Sequence, residues 1–350
     1  MWAGFFTFVV NCVFHEPSPS FLTLRMLFPR LQYFFQTWRR RLRRSSPMFM
    51  PTIALIACVV LAVLGIAIGA SADSLIVETN GWISAVEIIN AALFIMAVER
   101  STKTADFQFN YGYGKYESLA ILSSSVLLTV IGIYVTVEAV QTFGEPTATT
   151  NFWFLALYSF LCFGIIRTVT SHMKKAAAKH QVPVLQFDAD LWEADSWMEL
   201  AVSVNLLVGG ILHAYGFDAF ARYVDSGSAI ALLAYTVSIP LRHGKNALDQ
   251  ILDKTLPENV QMDILSSIIA RFDSFCEFKA VHTRQSGRDI FIEIDLILPF
   301  DWTLEQSRDL EKNIARDLKE KYPTSIMRLY AQPCPRDCFR NGECFCPLKQ

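Results

Sequence analysis

Residues 51–70 read PTIALIACVVLAVLGIAIGA, twenty positions without a charged side chain. A helix of about 20 apolar residues crosses the hydrocarbon core of a bilayer, so this stretch is read as a membrane span, Pro51–Ala70. Working outward, five more candidates follow at Thr79–Val98, Leu119–Phe143, Phe152–Thr170, Trp197–Tyr215 and Ser226–Pro240. The second contains Glu87, and acids stand just ahead of the fifth. These two and the sixth are weak by hydropathy and are kept because their neighbours must be joined through the membrane. The chain is 52% hydrophobic and 18% charged, against about 25% charged in an average soluble protein. The deficit is confined to Met50–Ile239, and from Leu256 onward charged and apolar residues alternate as in a soluble domain.

The loops set an orientation. Arg39, Arg40, Arg41, Arg43 and Arg44 precede the first span, Arg100, Lys103 and Lys115 join the second to the third, Arg167, Lys174, Lys175 and Lys179 join the fourth to the fifth, and Arg242 and Lys245 follow the sixth. The intervening connections hold Asp73 and Glu78, Glu145, and Asp218, Arg222 and Asp225. Basic residues stay on the cytoplasmic side, so the alternation predicts an even number of spans with both termini cytoplasmic, in the plasma membrane. Met1–Phe14 is apolar without a basic leader or a small-residue cleavage site, a poor signal peptide, and Met26 is an alternative start of translation. Leu27–Arg44, with Tyr33, Phe34, Phe35 and Trp38, reads either as an interfacial helix or as a plain basic flank. The net charge of −2 gives no reason to expect nucleic acid as a partner, and no nucleophile–base set or phosphate loop points to an enzyme.

Beyond Pro257, apolar spacing predicts a helix over Val260–Phe272, strands at Phe278–His282 and Ile290–Leu298 around a turn at Gly287, a helix over Leu304–Lys321 and a strand at Ser325–Ala331. That order, αββαβ, is a small open sheet with helices on one face. At about 75 residues its core is modest, and pairing with a second copy would add to it. The predicted organisation is an N-terminal extension at 1–46, a six-helix membrane domain at 47–245, a linker at 246–255, an αββαβ domain at 256–332 and a cysteine-rich tail at 333–350. In that tail Cys334, Cys338, Cys344 and Cys346 give four thiols in thirteen residues, enough to bind zinc or another soft metal. The alternative is a tail whose cysteines are incidental. Cys12, Cys58, Cys162 and Cys276 each stand alone in sequence and read as small buried thiols or isolated ones.

Three stretches carry a resemblance. FNYGYGKYE at 109–117 resembles the H-P-Y-G-H-G-R/K-x-E signature before the third helix of cation diffusion facilitators, LDKTLPE at 252–258 resembles the linker after their sixth helix, and VHTRQSGRDIFIEID at 281–295 resembles the start of their cytoplasmic domain. The likeness covers about Pro51 to Pro333. It implies a homodimer that moves a divalent metal cation out of the cytoplasm in exchange for protons, by alternating access. It also implies a transport site between the second and fifth helices, D/H-x-x-x-D on one and H/D-x-x-x-D on the other. In this chain the two pairs fall on Ile83 and Glu87 and on Leu191 and Asp195, so one ligand of each pair is aliphatic. Glu199 lies one turn beyond Asp195 and Asp188 two turns before it, while Asp190 and Glu193 point elsewhere. Glu87, Asp195 and Glu199 are the candidate transport residues. An ionised group inside a bilayer costs roughly 3 kcal/mol or more and calls for a cation or a partner. The plainer alternative has them protonated and hydrogen-bonded to Asn90, Ser84 or Asn205.

An all-oxygen site suits manganese, iron(II) or magnesium better than zinc. Where the family often binds extra zinc in its soluble domain, this chain has Lys279, Asp295 and Tyr330, so zinc is not expected there, and His282 nearby is a lone histidine. Lys115 and Asp253 match residues of a charge interlock at the family's dimer interface. The competing expectation is a transport-inactive paralogue, a scaffold or partner sensing metal through its tail.

Overall fold

The computed structural model describes residues 46–71, 75–141 and 152–335. The expected N-terminal extension, apart from Ser46, and Cys338, Cys344 and Cys346 lie outside the described residues. Among the described residues six long helices come first: α1 Phe49–Ser71, α2 Leu75–Ser101, α3 Lys115–Gln141, α4 Phe152–His180, α5 Pro183–Ala214 and α6 Asp218–Ile251. Counting described residues only, α1, α3, α4 and α5 are long and apolar enough to cross a membrane. α4 packs along α5, and α3 along α6.

Glycines set the closest approaches. A Cβ on Gly81 of α2 would stand 2.5 Å from the Ile66 backbone nitrogen, so α1 and α2 touch backbone to backbone there. One on Gly132 of α3 would meet Val237 of α6 at 2.4 Å. Such small residues let membrane helices pack without a hydrophobic driving force between them.

The fifth helix begins fourteen residues ahead of the expected Trp197, at Pro183, and the expected basic loop before it is helical to His180. Only Gln181, at φ 51°, and Val182 separate α4 from α5, and Pro183 opens α5 where its missing N–H costs nothing. The acids that read as a loop are used between helices. Asp190 accepts from His243 of α6 at 2.9 Å, and Glu193 pairs with Lys174 and Arg167 of α4. α5 ends in a Schellman turn: Gly216 takes φ 79°, and the Phe217 N–H donates to Leu212 O at 2.9 Å. α6 continues to Ile251, eleven residues beyond the expected Pro240, so the connection to the next domain shortens to Leu252–Pro257.

The second domain has the expected order: α7 Glu258–Ile269, β1 Glu277–Ser286, β2 Asp289–Leu298, α8 Leu304–Lys321 and β3 Ser325–Pro333. The sheet runs β1-β2-β3, antiparallel then parallel. Alternate residues of β2, Ile292, Ile294, Leu296 and Leu298, face Ile264 and Ile268 of α7 and Leu310, Ile314 and Leu318 of α8 in one buried cluster. Thr303 and Gln306 close a capping box at the start of α8.

Candidate functional site

α2 and α5 bring the acids together. Steps of seven and four put Asp188, Asp195 and Glu199 on one face of α5, toward Glu87 of α2. The carboxyl groups of Glu87 and Asp195 are within hydrogen-bonding reach of each other. Two carboxylates cannot share that contact unless a proton or a cation lies between them.

This pair forms part of the wall between two cavities. The smaller, about 60 Å³, is lined also by Ser84, Tyr158, Cys162 and Glu199. The larger, about 110 Å³, is lined also by Cys58, Asn90, Phe94, Asp188 and Leu191. Leu191, at an expected ligand position, therefore contributes only an apolar wall, and Ile83 lies on α2 one turn before Glu87. The structure brings Glu87, Asp195 and Glu199 to one cavity. Among the described residues, no three His, Cys, Asp or Glu side chains stand close enough to share a metal ion.

Three polar groups at the larger cavity were not assigned to the site by sequence reasoning. The Cys58 thiol of α1 donates to Glu87 Oε2 at 3.9 Å. Asn90 is 4% exposed, and neither polar atom of its carboxamide has a partner among the described residues. Asp188 is 5% exposed, and its Oδ2 is likewise without one. Asn90 and Asp188 were visible in the spacing of α2 and α5. Cys58 was not, because nothing in sequence says which face of α1 meets Glu87.

Past the larger cavity, toward the α/β domain, Phe94 and Phe187 meet edge to face at 5.7 Å, both buried. At that end of the bundle the loop between α2 and α3 meets the sheet. A Cβ on Gly114 would stand 2.3 Å from Ser286 O, and the Arg284 guanidinium lies over the rings of Tyr111 and Phe291 at 4.5 and 4.8 Å. Lys115 pairs with Asp253 Oδ2 at 2.9 Å, and Arg284 with the other oxygen at 3.3 Å. Partial burial opposes charge on Asp253, but these two cations outweigh it and hold its carboxyl below the ordinary value. In the same loop the Tyr113 hydroxyl donates to Asp106 at 2.6 Å and lowers that carboxyl.

On the sheet, Asp295 stands opposite Ala280 and Tyr330, and Lys279 lies in a bulge with its ammonium donating to Gln332 at 2.8 Å. Cys334, the one described member of the tail cluster, directly follows β3, with its N–H donating to Leu298 O at 2.9 Å.

Comparison with known proteins adds two matches. The family model for the cation efflux transmembrane domain matches residues 52–252, and that for the cation efflux protein cytoplasmic domain matches residues 257–328. Similar proteins include the cation-efflux pumps FieF of Escherichia coli O127:H6 and of Shigella flexneri serotype 5b. Each is 23% identical over 252 residues, 72% of this chain and 81% of the relative.

Proposed function

The chain belongs to the cation efflux family, and from that we propose that it exports a divalent metal cation through a site at Glu87 and Asp195, in exchange for protons. The observation that carries the reading is the contact between these two carboxyl groups, in the wall between two cavities. A pair in that contact holds a proton when empty, and a divalent cation entering between them displaces it. That exchange is the coupling an antiporter needs. Glu199 supplies a third acid on the path, through the smaller cavity. Carboxylate donors suit manganese, iron(II) or magnesium.

The same reading has all six helices crossing the plasma membrane, with both termini and the α/β domain in the cytoplasm. The basic residues on the α/β side, Lys103, Lys174, Arg242 and Lys245, support that orientation. It also has the protein working as a homodimer through the α/β domain, with Lys115 and Asp253 as a charge interlock beside the interface. Cys334 with the other three tail cysteines provides a separate soft-metal site.

Manganese uptake by proteoliposomes tests the site. Glu87→Gln and Asp195→Asn keep size and one oxygen but remove the charge, and each should abolish uptake while leaving the protein folded and inserted. Uptake unchanged in both would remove the site.

A further inference from the structure

Cys58 is 2% exposed on α1, and a buried thiol in a helix bundle is ordinarily a small apolar side chain with apolar neighbours. This one faces Glu87 Oε2 at 3.9 Å and lines the larger cavity. At about 110 Å³ that cavity has room for a cation with several waters. Two further polar side chains line it, Asn90 and Asp188, each more than nine-tenths buried; both polar atoms of Asn90 lack a partner among the described residues, and so does Asp188 Oδ2, while the Asp188 carboxyl is otherwise bonded to Trp192. A buried polar group without a partner costs about 1–3 kcal/mol. With the carboxyl pair and the thiol, Asn90 and Asp188 bring five donor side chains to one cavity.

We propose that Cys58 is a ligand of the transported cation, completing with Glu87, Asn90, Asp188 and Asp195 a mixed oxygen–sulfur seat that selects borderline divalent cations over magnesium. The proposal rests on the transport site assigned above and deepens it. Asn90 and Asp188 stand in for the two donors that Ile83 and Leu191 cannot supply. A sulfur donor favours iron(II), cobalt(II) or zinc, and magnesium has little affinity for it. The thiol proton leaves to cavity water as the cation binds, because a coordinating thiol is deprotonated by the metal. Among the described residues no three acid or thiol groups stand close enough to share an ion, so the seat closes only as α1, α2 and α5 draw together. Cys162 lines the other cavity, where Tyr158 is its hydrogen-bond partner, and it serves as the control.

Cobalt(II) titration of the full-length chain in lipid nanodiscs tests this, in a background with Cys12, Cys276 and the four tail cysteines replaced by serine. The expected result is a thiolate-to-cobalt charge-transfer band that survives Cys162→Ser and disappears in Cys58→Ser. The latter should still bind cobalt through its oxygens, seen in the residual ligand-field absorption, with its preference for cobalt over magnesium reduced at least tenfold. Asn90→Leu and Asp188→Asn should each weaken cobalt binding at least tenfold, and Glu199→Gln by less than threefold. Cobalt bound without the band, or a band indifferent to Cys58→Ser, overturns the proposal. The transport site would stand if Glu87→Gln still abolished binding. Binding indifferent to both Glu87→Gln and Asp195→Asn would overturn the transport site as well.

Discussion

At the scale of single residues, the site depends on acids whose neighbours were chosen by the fold. Supporting groups around a metal are worth about 10–100-fold in affinity, so losing a direct carboxylate should cost at least that. Manganese uptake should therefore fall by more than about 100-fold in Asp195→Asn. Asp190→Asn should leave uptake within twofold, since Asp190 is committed to His243 of α6 and to Gln186. It should cost up to about 1 kcal/mol of stability, as expected for a partly exposed ion pair. That Asp188, Asp195 and Glu199 share one stripe of α5 was legible from spacing, whereas the pairing of that stripe with Glu87 of α2 came from the resemblance to cation diffusion facilitators. Cys58 was not legible as a site residue, because its role depends on the rotation of α1 against α2. The Gly65–Gly81 approach fixes that rotation, and no period in the sequence encodes it.

At the scale of elements, the order of the α/β domain was legible, and β2 and α8 nearly to their ends, but β1 runs four residues beyond the expected His282 and α7 stops three short of the expected Phe272. Its strands alternate with period two, and α8 carries a clear apolar stripe capped by Thr303. The long helices were harder. The start of α5 was missed because acids in a row resemble a loop until their partners on α4 and α6 are known. The joint between the helices and the sheet follows from Gly114: in Gly114→Ala the new Cβ would meet Ser286 O at 2.3 Å. Overpacking of that kind costs typically about 1–3 kcal/mol, and it should appear as faster proteolysis at Leu252–Pro257 while α7 and α8 stay protected.

Within the domain, Lys321 and Tyr322 both donate to Asp263, at 2.8 Å each, and hold its carboxyl below the ordinary 3.8. The stability this gives is present above pH 3.8 and lost as pH falls through the lowered folded value. Urea unfolding of the α/β domain between about pH 5 and pH 2 should show a steeper acid decline in the wild type than in Asp263→Asn. Equal slopes would show that the contact contributes nothing.

At the scale of the whole molecule, the bundle and the α/β domain meet at one end, where Lys115, Asp253 and Arg284 form a charged joint. If all six helices cross, Tyr215, exposed at the far end of α5, faces outside. A cysteine placed there should react with an impermeant thiol reagent added to intact cells. One placed at Lys103 should react only after the membrane is opened. Light scattering of the full chain in detergent should give twice the mass of one chain, and a single-chain mass at micromolar concentration would remove the homodimer. The central claim is that the Glu87–Asp195 contact exchanges protons for a divalent cation. It is tested most directly by manganese flux into proteoliposomes carrying an imposed proton gradient. The wild type should accumulate manganese only while the gradient lasts, with protons moving the opposite way. No flux of manganese, iron(II), cobalt or zinc under any gradient would contradict it and leave a transport-inactive partner in its place.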